Sequence, residues 1–237
     1  MKISFCDFWE IGGKPSHSFH YDNNMFLDMF IDNFDTVKPV PPSEDPDFLF
    51  FSVFGGTHCK ADRNKTKKIF FTGENIRPNS LSQHYDLSLS FDYDQGSNIR
   101  FPLWYYHIDW YKKGGYNNPQ YIIPKNCLYK NKYIDRPKNK FCSAVYSNPH
   151  PLRNEVFEKL NFYKKVDRYG QPFSYCDYGE DVKYDIISQY KFNMCLESSS
   201  HPGYHTEKLL QAKIAGCIPI YWGAKTVSQD FNHKCFI

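Results

Sequence analysis

Phe192-Asn-Met-Cys-Leu-Glu-Ser-Ser-Ser-His-Pro-Gly-Tyr-His-Thr-Glu-Lys208, continued by Leu209-Leu-Gln-Ala-Lys-Ile-Ala-Gly-Cys-Ile-Pro-Ile-Tyr-Trp-Gly223, is the stretch from which the fold is read. Phe192 to Leu196 is a short apolar run, expected as a strand, that ends in the Glu197 carboxylate and a loop of small residues. Thr206 to Ala215 carries apolar residues at 209, 210 and 214, one face of a helix, and Gly216 closes it before the strand Cys217 to Trp222. Strand, helix and strand in this order imply a parallel sheet, whose ligands sit beyond the carboxyl ends of its strands.

Upstream the same alternation recurs. Strands are expected at Lys2 to Phe5, Asp47 to Phe54, Lys68 to Thr72, Tyr85 to Phe91, Phe141 to Tyr146 and Val166 to Tyr169. Helices are expected at Asn24 to Phe34, Leu152 to Leu160 and Val182 to Tyr190. Between Tyr111 and Lys140 the chain turns rich in Gly, Asn, Pro and Lys, so the domains are expected to be residues 1–135 and 136–237.

Composition narrows the function classes. A chain of 237 residues with 19% aromatics can bury a full core, and most of its rings are expected there. A net charge of +3 with no basic run excludes the footprint of a nucleic-acid binder; Asn64 to Lys68 reads as a solvated turn. The eight cysteines form no C-x-x-C pair and no Cys/His array at zinc spacing, and they read as mostly buried free thiols, although an even count also permits disulfides. No window approaches eighteen apolar residues, so the expectation is a soluble, cytoplasmic protein, or a Golgi one from which an anchor was removed.

Chemistry concentrates where the reading began. Free backbone N–H groups at the start of a helix holding Thr206, Glu207 and Lys208 would face phosphates, Lys208 adds a full charge, and the carboxylates can clamp sugar or ribose hydroxyls. Thr206-Glu207 is equally open to reading as helix-capping chemistry.

Phe-Asn-x-Cys-x-Glu-x-Ser, Gly-Tyr-x-Thr-Glu-Lys and Ile-Pro-Ile-Tyr-Trp-Gly together resemble the donor-binding signature of the α1,3/1,4-fucosyltransferase family. Phe70-Phe-Thr-Gly-Glu-Asn75, Ser147-Asn148 with Arg153-Asn154, and Tyr85 to Asp94 with Arg100-Phe-Pro-Leu-Trp-Tyr-Tyr-His107 extend the resemblance over most of the chain from residue 68. It implies an α/β fold of two Rossmann-like domains facing a cleft (GT-B), the first binding the acceptor and the second GDP-fucose. It further implies Glu74 as catalytic base, Arg153 and Lys208 as the cations on the diphosphate, and Tyr204 and Glu207, with Glu197 and Ser198, as nucleotide-sugar contacts.

The implied reaction is an inverting transfer of L-fucose from GDP-fucose to a hydroxyl of an oligosaccharide or glycoconjugate acceptor, α1,3 to GlcNAc or Glc. It needs one base and charge stabilisation for departing GDP. No metal or cofactor is then required, although a divalent ion could stimulate, and Asp92 and Asp94 are not read as metal ligands. Two departures stand out. Ser198 replaces the Asn that usually follows the Glu, and the sequence reaches Ile237 where the family continues, so the C-terminal domain is expected to be truncated with an exposed core edge. The alternatives are a GT-B transferase using another nucleotide sugar and a non-catalytic GDP-sugar-binding relative. A dinucleotide oxidoreductase is disfavoured by the lack of G-x-G-x-x-G after the first strand.

Overall fold

Strand β1 (Lys2–Cys6) is buried on both faces after its first residue, as a strand must be when covered from both sides. In the computed structural model, which describes residues 1–11, 14–15, 19–78, 84–111, 123–130, 133–146, 148, 150–170 and 180–237, it lies inside a six-stranded parallel sheet. Its companions are β2 (Lys38–Pro39), β3 (Phe48–Phe51), β4 (Lys67–Phe71), β5 (Leu87–Ser90) and β6 (Asn98–Arg100), in the order β2-β1-β3-β4-β5-β6. The register sets Phe5 beside Phe50, Phe50 beside Ile69 and Ile69 beside Leu87.

That row faces helix α1 (Met25–Asn33), which Asn24 caps by accepting the Leu27 N–H at 3.0 Å. Met25, Phe26, Leu27 and Phe30 of α1 join Phe5, Phe8, Phe19, Phe50 and Phe71 in one core, where the Phe8 and Phe19 rings stack at 3.8 Å. Burying each such ring contributes about 1.5–3 kcal/mol. The opposite face of the sheet packs Cys6, Leu49, Phe51, Phe70 and Tyr85. The abundance of aromatics is thus largely a core property.

The second sheet is built from β7 (Lys140–Val145), β8 (Val166–Tyr169), β9 (Tyr190–Leu196) and β10 (Ile218–Trp222), all parallel, in the order β8-β7-β9-β10. Helices α2 (Pro151–Tyr163), α3 (Glu180–Ile187) and α4 (Lys208–Ile214) connect these strands in turn. The outer edge of β10 is not bare: Tyr221 N–H donates to Ile237 O at 2.7 Å, and Ile237 N–H donates to Pro219 O at 3.0 Å.

The chain divides into two compact units, Met1–Ile122 and Ile123–Ile237. Residues 123–135, expected with the first domain, cluster with the second. Lys213 Nζ donates to Leu128 O at 2.8 Å, and Lys138 Nζ donates to Ser188 O and Ala215 O at 2.7 Å each and to Tyr133 O at 3.4 Å. The Pro/Lys-rich passage that reads as a linker is therefore fastened by its own lysine.

Seven cysteines fall among the described residues, all as thiols rather than disulfides; Cys6, Cys142, Cys195 and Cys217 are buried, Cys59 and Cys235 exposed, and Cys176 lies outside the described residues. Among the described residues no helix is long and apolar enough to cross a membrane.

Candidate functional site

Strand β9 runs through the middle of the second sheet and delivers Glu197 one residue past its end, with Glu197 N–H still donating to Trp222 O at 2.8 Å. The Glu197 side chain is 1% exposed. A carboxylate this deep needs donors on both oxygens. Thr206 supplies its N–H to Oε1 at 2.9 Å and its hydroxyl at 3.0 and 2.8 Å to the two oxygens, and Lys208 Nζ donates to Oε2 at 3.0 Å. Lys208 Nζ also donates to Thr206 Oγ1 at 2.8 Å, closing a three-residue ring of bonds. Burial disfavours the Lys208 charge, but Glu197 and Glu207 outweigh it and raise its pKa above the ordinary lysine range.

This corrects the expected helix start. Helix α4 begins at Lys208 and has seven residues; Glu207 is its N-cap residue without a side-chain capping bond. Thr206 neither begins nor caps the helix, because its hydroxyl is engaged by the buried carboxylate. The capping motif therefore does not describe Thr206-Glu207.

Arg153 enters from the first turn of α2, whose start is set by Pro151 and by His150 accepting the Leu152 N–H at 3.3 Å. The residue is 4% exposed, and its donors end on main-chain carbonyls: Nε and Nη2 on Leu196 O at 3.2 and 2.9 Å, Nη1 on Asn148 O at 3.0 Å. Its guanidinium also lies 5.5 Å from the centre of the Tyr146 ring. Burial lowers the Arg153 pKa, opposed by Glu197, Tyr146, Tyr204 and Glu207. Tyr204 is buried, with its hydroxyl 3.2 Å from Ser198 Oγ. All six predicted donor-site residues thus gather at the carboxyl end of β9; Ser147, also part of the matching pattern, lies outside the described residues.

Other features here escaped the sequence reading. The loop between β9 and α4 is stitched to the segment after β10: Ser200 Oγ donates to Gly223 O at 2.8 Å, Gly203 N–H to Thr226 Oγ1 at 2.9 Å, and buried His205 pairs through Nδ1 with Asp230 Oδ2 at 2.5 Å. Gly203 has φ +81°, which favours glycine there. A Cβ on Gly223 would collide with the Tyr221 hydroxyl and lie 2.7 Å from Glu197 Cγ. The Gly-Tyr and Tyr-Trp-Gly pieces of the motif therefore have local structural reasons.

Glu74 belongs to the first unit, three residues after β4. Its N–H donates to Thr72 Oγ1 at 3.1 Å, the Thr72 hydroxyl donates back to Glu74 O at 3.0 Å, and Trp9 Nε1 donates to Glu74 Oε1 at 3.3 Å. A Cβ on Gly73 would lie 2.7 Å from Leu103 Cδ1 and 2.9 Å from Trp9 Cζ2. Thr-Gly-Glu is thus a turn that aims a half-buried carboxylate past an indole. Asp92 accepts from Arg77 Nε at 3.0 Å, and Asp94 accepts the Arg100 N–H at 2.6 Å.

Comparison with known proteins agrees in both units. Residues 3–107 match the alpha-(1,3)-fucosyltransferase FucT N-terminal domain, and residues 135–237 match glycosyltransferase family 10 (fucosyltransferase), C-terminal. The Helicobacter pylori alpha-(1,3)-fucosyltransferase FucT is 29% identical across the whole of this chain, which spans 53% of that protein. A crystal structure of an α1,3-fucosyltransferase superposes with TM-score 0.71 at 28% identity, covering 100% of this chain and 72% of that one. Another, with GDP-fucose, gives TM-score 0.68 at 27% identity, covering 99% of this chain and 72% of that one.

Proposed function

Because the chain belongs to the fucosyltransferase family, with an α/β fold of parallel sheets of the GT-B type, we propose that it transfers L-fucose from GDP-fucose to a hydroxyl of an acceptor glycan with inversion at the anomeric carbon. The chain spans about half the length of the curated H. pylori relative it matches.

The observation that carries the reading is the pair of cations at the end of β9. A guanidinium has five N–H donors and an ammonium three. Among the described residues, hydrogen bonds engage three N–H of Arg153 and two of Lys208, and Glu207 Oε1 lies 3.9 Å from the ammonium, so each cation retains donor capacity for an anion. Both head groups are held in place before any ligand arrives. A diphosphate meeting them would be bound by fixed donors, and the charge that accumulates on GDP as the glycosidic bond breaks would be stabilised without reorganisation. Glu207 and Tyr204, beside them, are suited to ribose or sugar hydroxyls.

Glu74 supplies the complementary function. A β-linked donor giving an α-linked product in one displacement requires a base for the attacking hydroxyl, and a carboxylate on a fixed turn after a buried strand meets that need. Arg153 and Lys208 perform the electrostatic task that a divalent ion has in other transferases, so the transfer itself is proposed to need no metal. A glycan α1,3-fucosylated on GlcNAc or Glc is the proposed product class.

The test is to incubate the chain with GDP-fucose and β-galactosyl-N-acetylglucosamine acceptors, follow GDP release, and determine the anomeric configuration of the product by NMR. Acceptor-dependent release of GDP with an α-linked fucose, lost in Glu74→Ala, supports the proposal. A folded chain that binds GDP but gives no transfer with any acceptor marks a non-catalytic relative, and faster turnover with another nucleotide sugar marks a different donor.

A further inference from the structure

Away from the nucleotide site, the described residues hold one group of three side chains with metal-ligating atoms close together: His58, Cys59 and His84, within 4.8 Å of one another. We propose that His58 Nε2, Cys59 Sγ and His84 Nδ1 bind one thiolate-preferring divalent cation of the zinc class, with Asp7 orienting the first ligand.

The distances fit such an ion. Zn–S of about 2.3 Å and Zn–N of about 2.0–2.1 Å at a tetrahedral angle require S···N of roughly 3.6 Å. Cys59 Sγ lies 3.4 Å from His58 Nε2 and 3.8 Å from His84 Nδ1, one on either side of that value. The two imidazoles meet edge to face at 5.5 Å between centroids.

The supporting shell is already built. His58 Nδ1 is 2.7 Å from Asp7 Oδ2, so with the proton on Nδ1 the lone pair of Nε2 is directed at Cys59. Asp7 is itself locked, accepting the Thr57 N–H on Oδ1 and the His58 N–H on Oδ2 at 2.9 Å each. It sits at φ +59°, and a Cβ on Gly55 would collide with its Oδ1. The His58 ring stacks on Phe51 at 4.1 Å, and Lys68 Nζ donates to His58 O at 2.7 Å. His58 is buried and His84 half-buried, whereas Cys59 is exposed, so an ion can arrive from solvent and keep one position for water. On binding, the Cys59 thiol gives its proton to solvent and the thiolate takes the vacated role of ligand.

The test uses the full-length reduced chain, stripped with EDTA and titrated with Co²⁺. One equivalent should bind with a thiolate-to-cobalt charge-transfer band in the near ultraviolet, and Zn²⁺ should displace it. Cys59→Ser should abolish the band, His84→Ala should weaken binding roughly tenfold or more, and Asp7→Asn should weaken it roughly 10–100-fold. Peptide mapping of the wild-type chain gives an independent reading: Zn²⁺ should protect Cys59 from iodoacetamide. A folded wild-type chain without the band, a band that survives in Cys59→Ser, or unchanged alkylation of Cys59 with Zn²⁺ present each overturns the proposal.

Discussion

Lys208→Met isolates the energetics of the nucleotide site. It removes the cation from a carboxylate that is 1% exposed, while the lysine side chain itself is 23% exposed. Breaking a fully buried pair costs about 3–5 kcal/mol. Here Thr206 still gives Glu197 its N–H and hydroxyl, so the expected cost is the lower end, about 3 kcal/mol. The corresponding fall in Tm is roughly 6–12 °C for a chain of this size. Glu197→Gln should cost less, because Lys208 keeps the partly exposed side of the pair and has Glu207 Oε1 at 3.9 Å. The double variant carries no uncompensated charge and should recover about 1–2 kcal/mol relative to the sum of the singles. Urea unfolding of the four proteins measures this coupling, and calorimetric GDP titration of the same samples separates stability from binding. Recovery of stability in the double variant without recovery of GDP affinity is the expected outcome. Additive losses, or a Lys208→Met cost under about 1 kcal/mol, would refute the reasoning that the pair is a buried, coupled unit.

Asp7 gives a pH dependence. Burial raises its pKa, but the bonds from His58 and Thr57 prevail and lower it to about 2 from 3.8, so the folded state holds its charge longer than the unfolded chain does. The associated stability, about 2 kcal/mol, is complete above the unfolded value and is lost as pH falls from about 4 to about 2; equilibrium unfolding of the wild type and Asp7→Asn over that range should converge at the acid end. Gly223→Ala should destabilise by about 1–3 kcal/mol in thermal unfolding and weaken GDP binding, since its Cβ displaces Tyr221 or Glu197. Trp9→Phe, which keeps a ring in place but deletes the donor to Glu74, should lower kcat roughly 2–10-fold with KM for GDP-fucose unchanged in steady-state assays.

Strands were legible where a parallel sheet makes them unbroken apolar runs, as at Phe48–Phe51; Tyr190–Leu196 is interrupted by Lys191 and Asn193, and its first residue was expected to close a helix that in fact ends at Ile187. Helix α1 was legible from the spacing of its apolar residues along one face, whereas its Asn24 cap was seen only in the structure. The donor-site residues were legible as a pattern, but their bonding was not. Nothing in Thr206-Glu207-Lys208 signals that Thr206 turns away from the helix to a carboxylate nine positions earlier, since that depends on how far strand β9 carries Glu197 inward. The passage from Tyr111 to Lys140 reads as a linker by composition, yet Lys138 ties its later part to the second unit through the carbonyls of Ser188 and Ala215, which only folding gathers. His58-Cys59-His84 is invisible to spacing rules for the same reason. Its third ligand is 25 residues away, and the aspartate behind it comes from the end of β1.

GDP titration of the wild-type chain and of Arg153→Met tests the central claim most directly. The account predicts one GDP per wild-type chain, competed by GDP-fucose, and a clear loss of affinity in Arg153→Met with its fold verified by circular dichroism. Absence of GDP binding by the folded wild-type chain, or equal affinity in Arg153→Met, would contradict it.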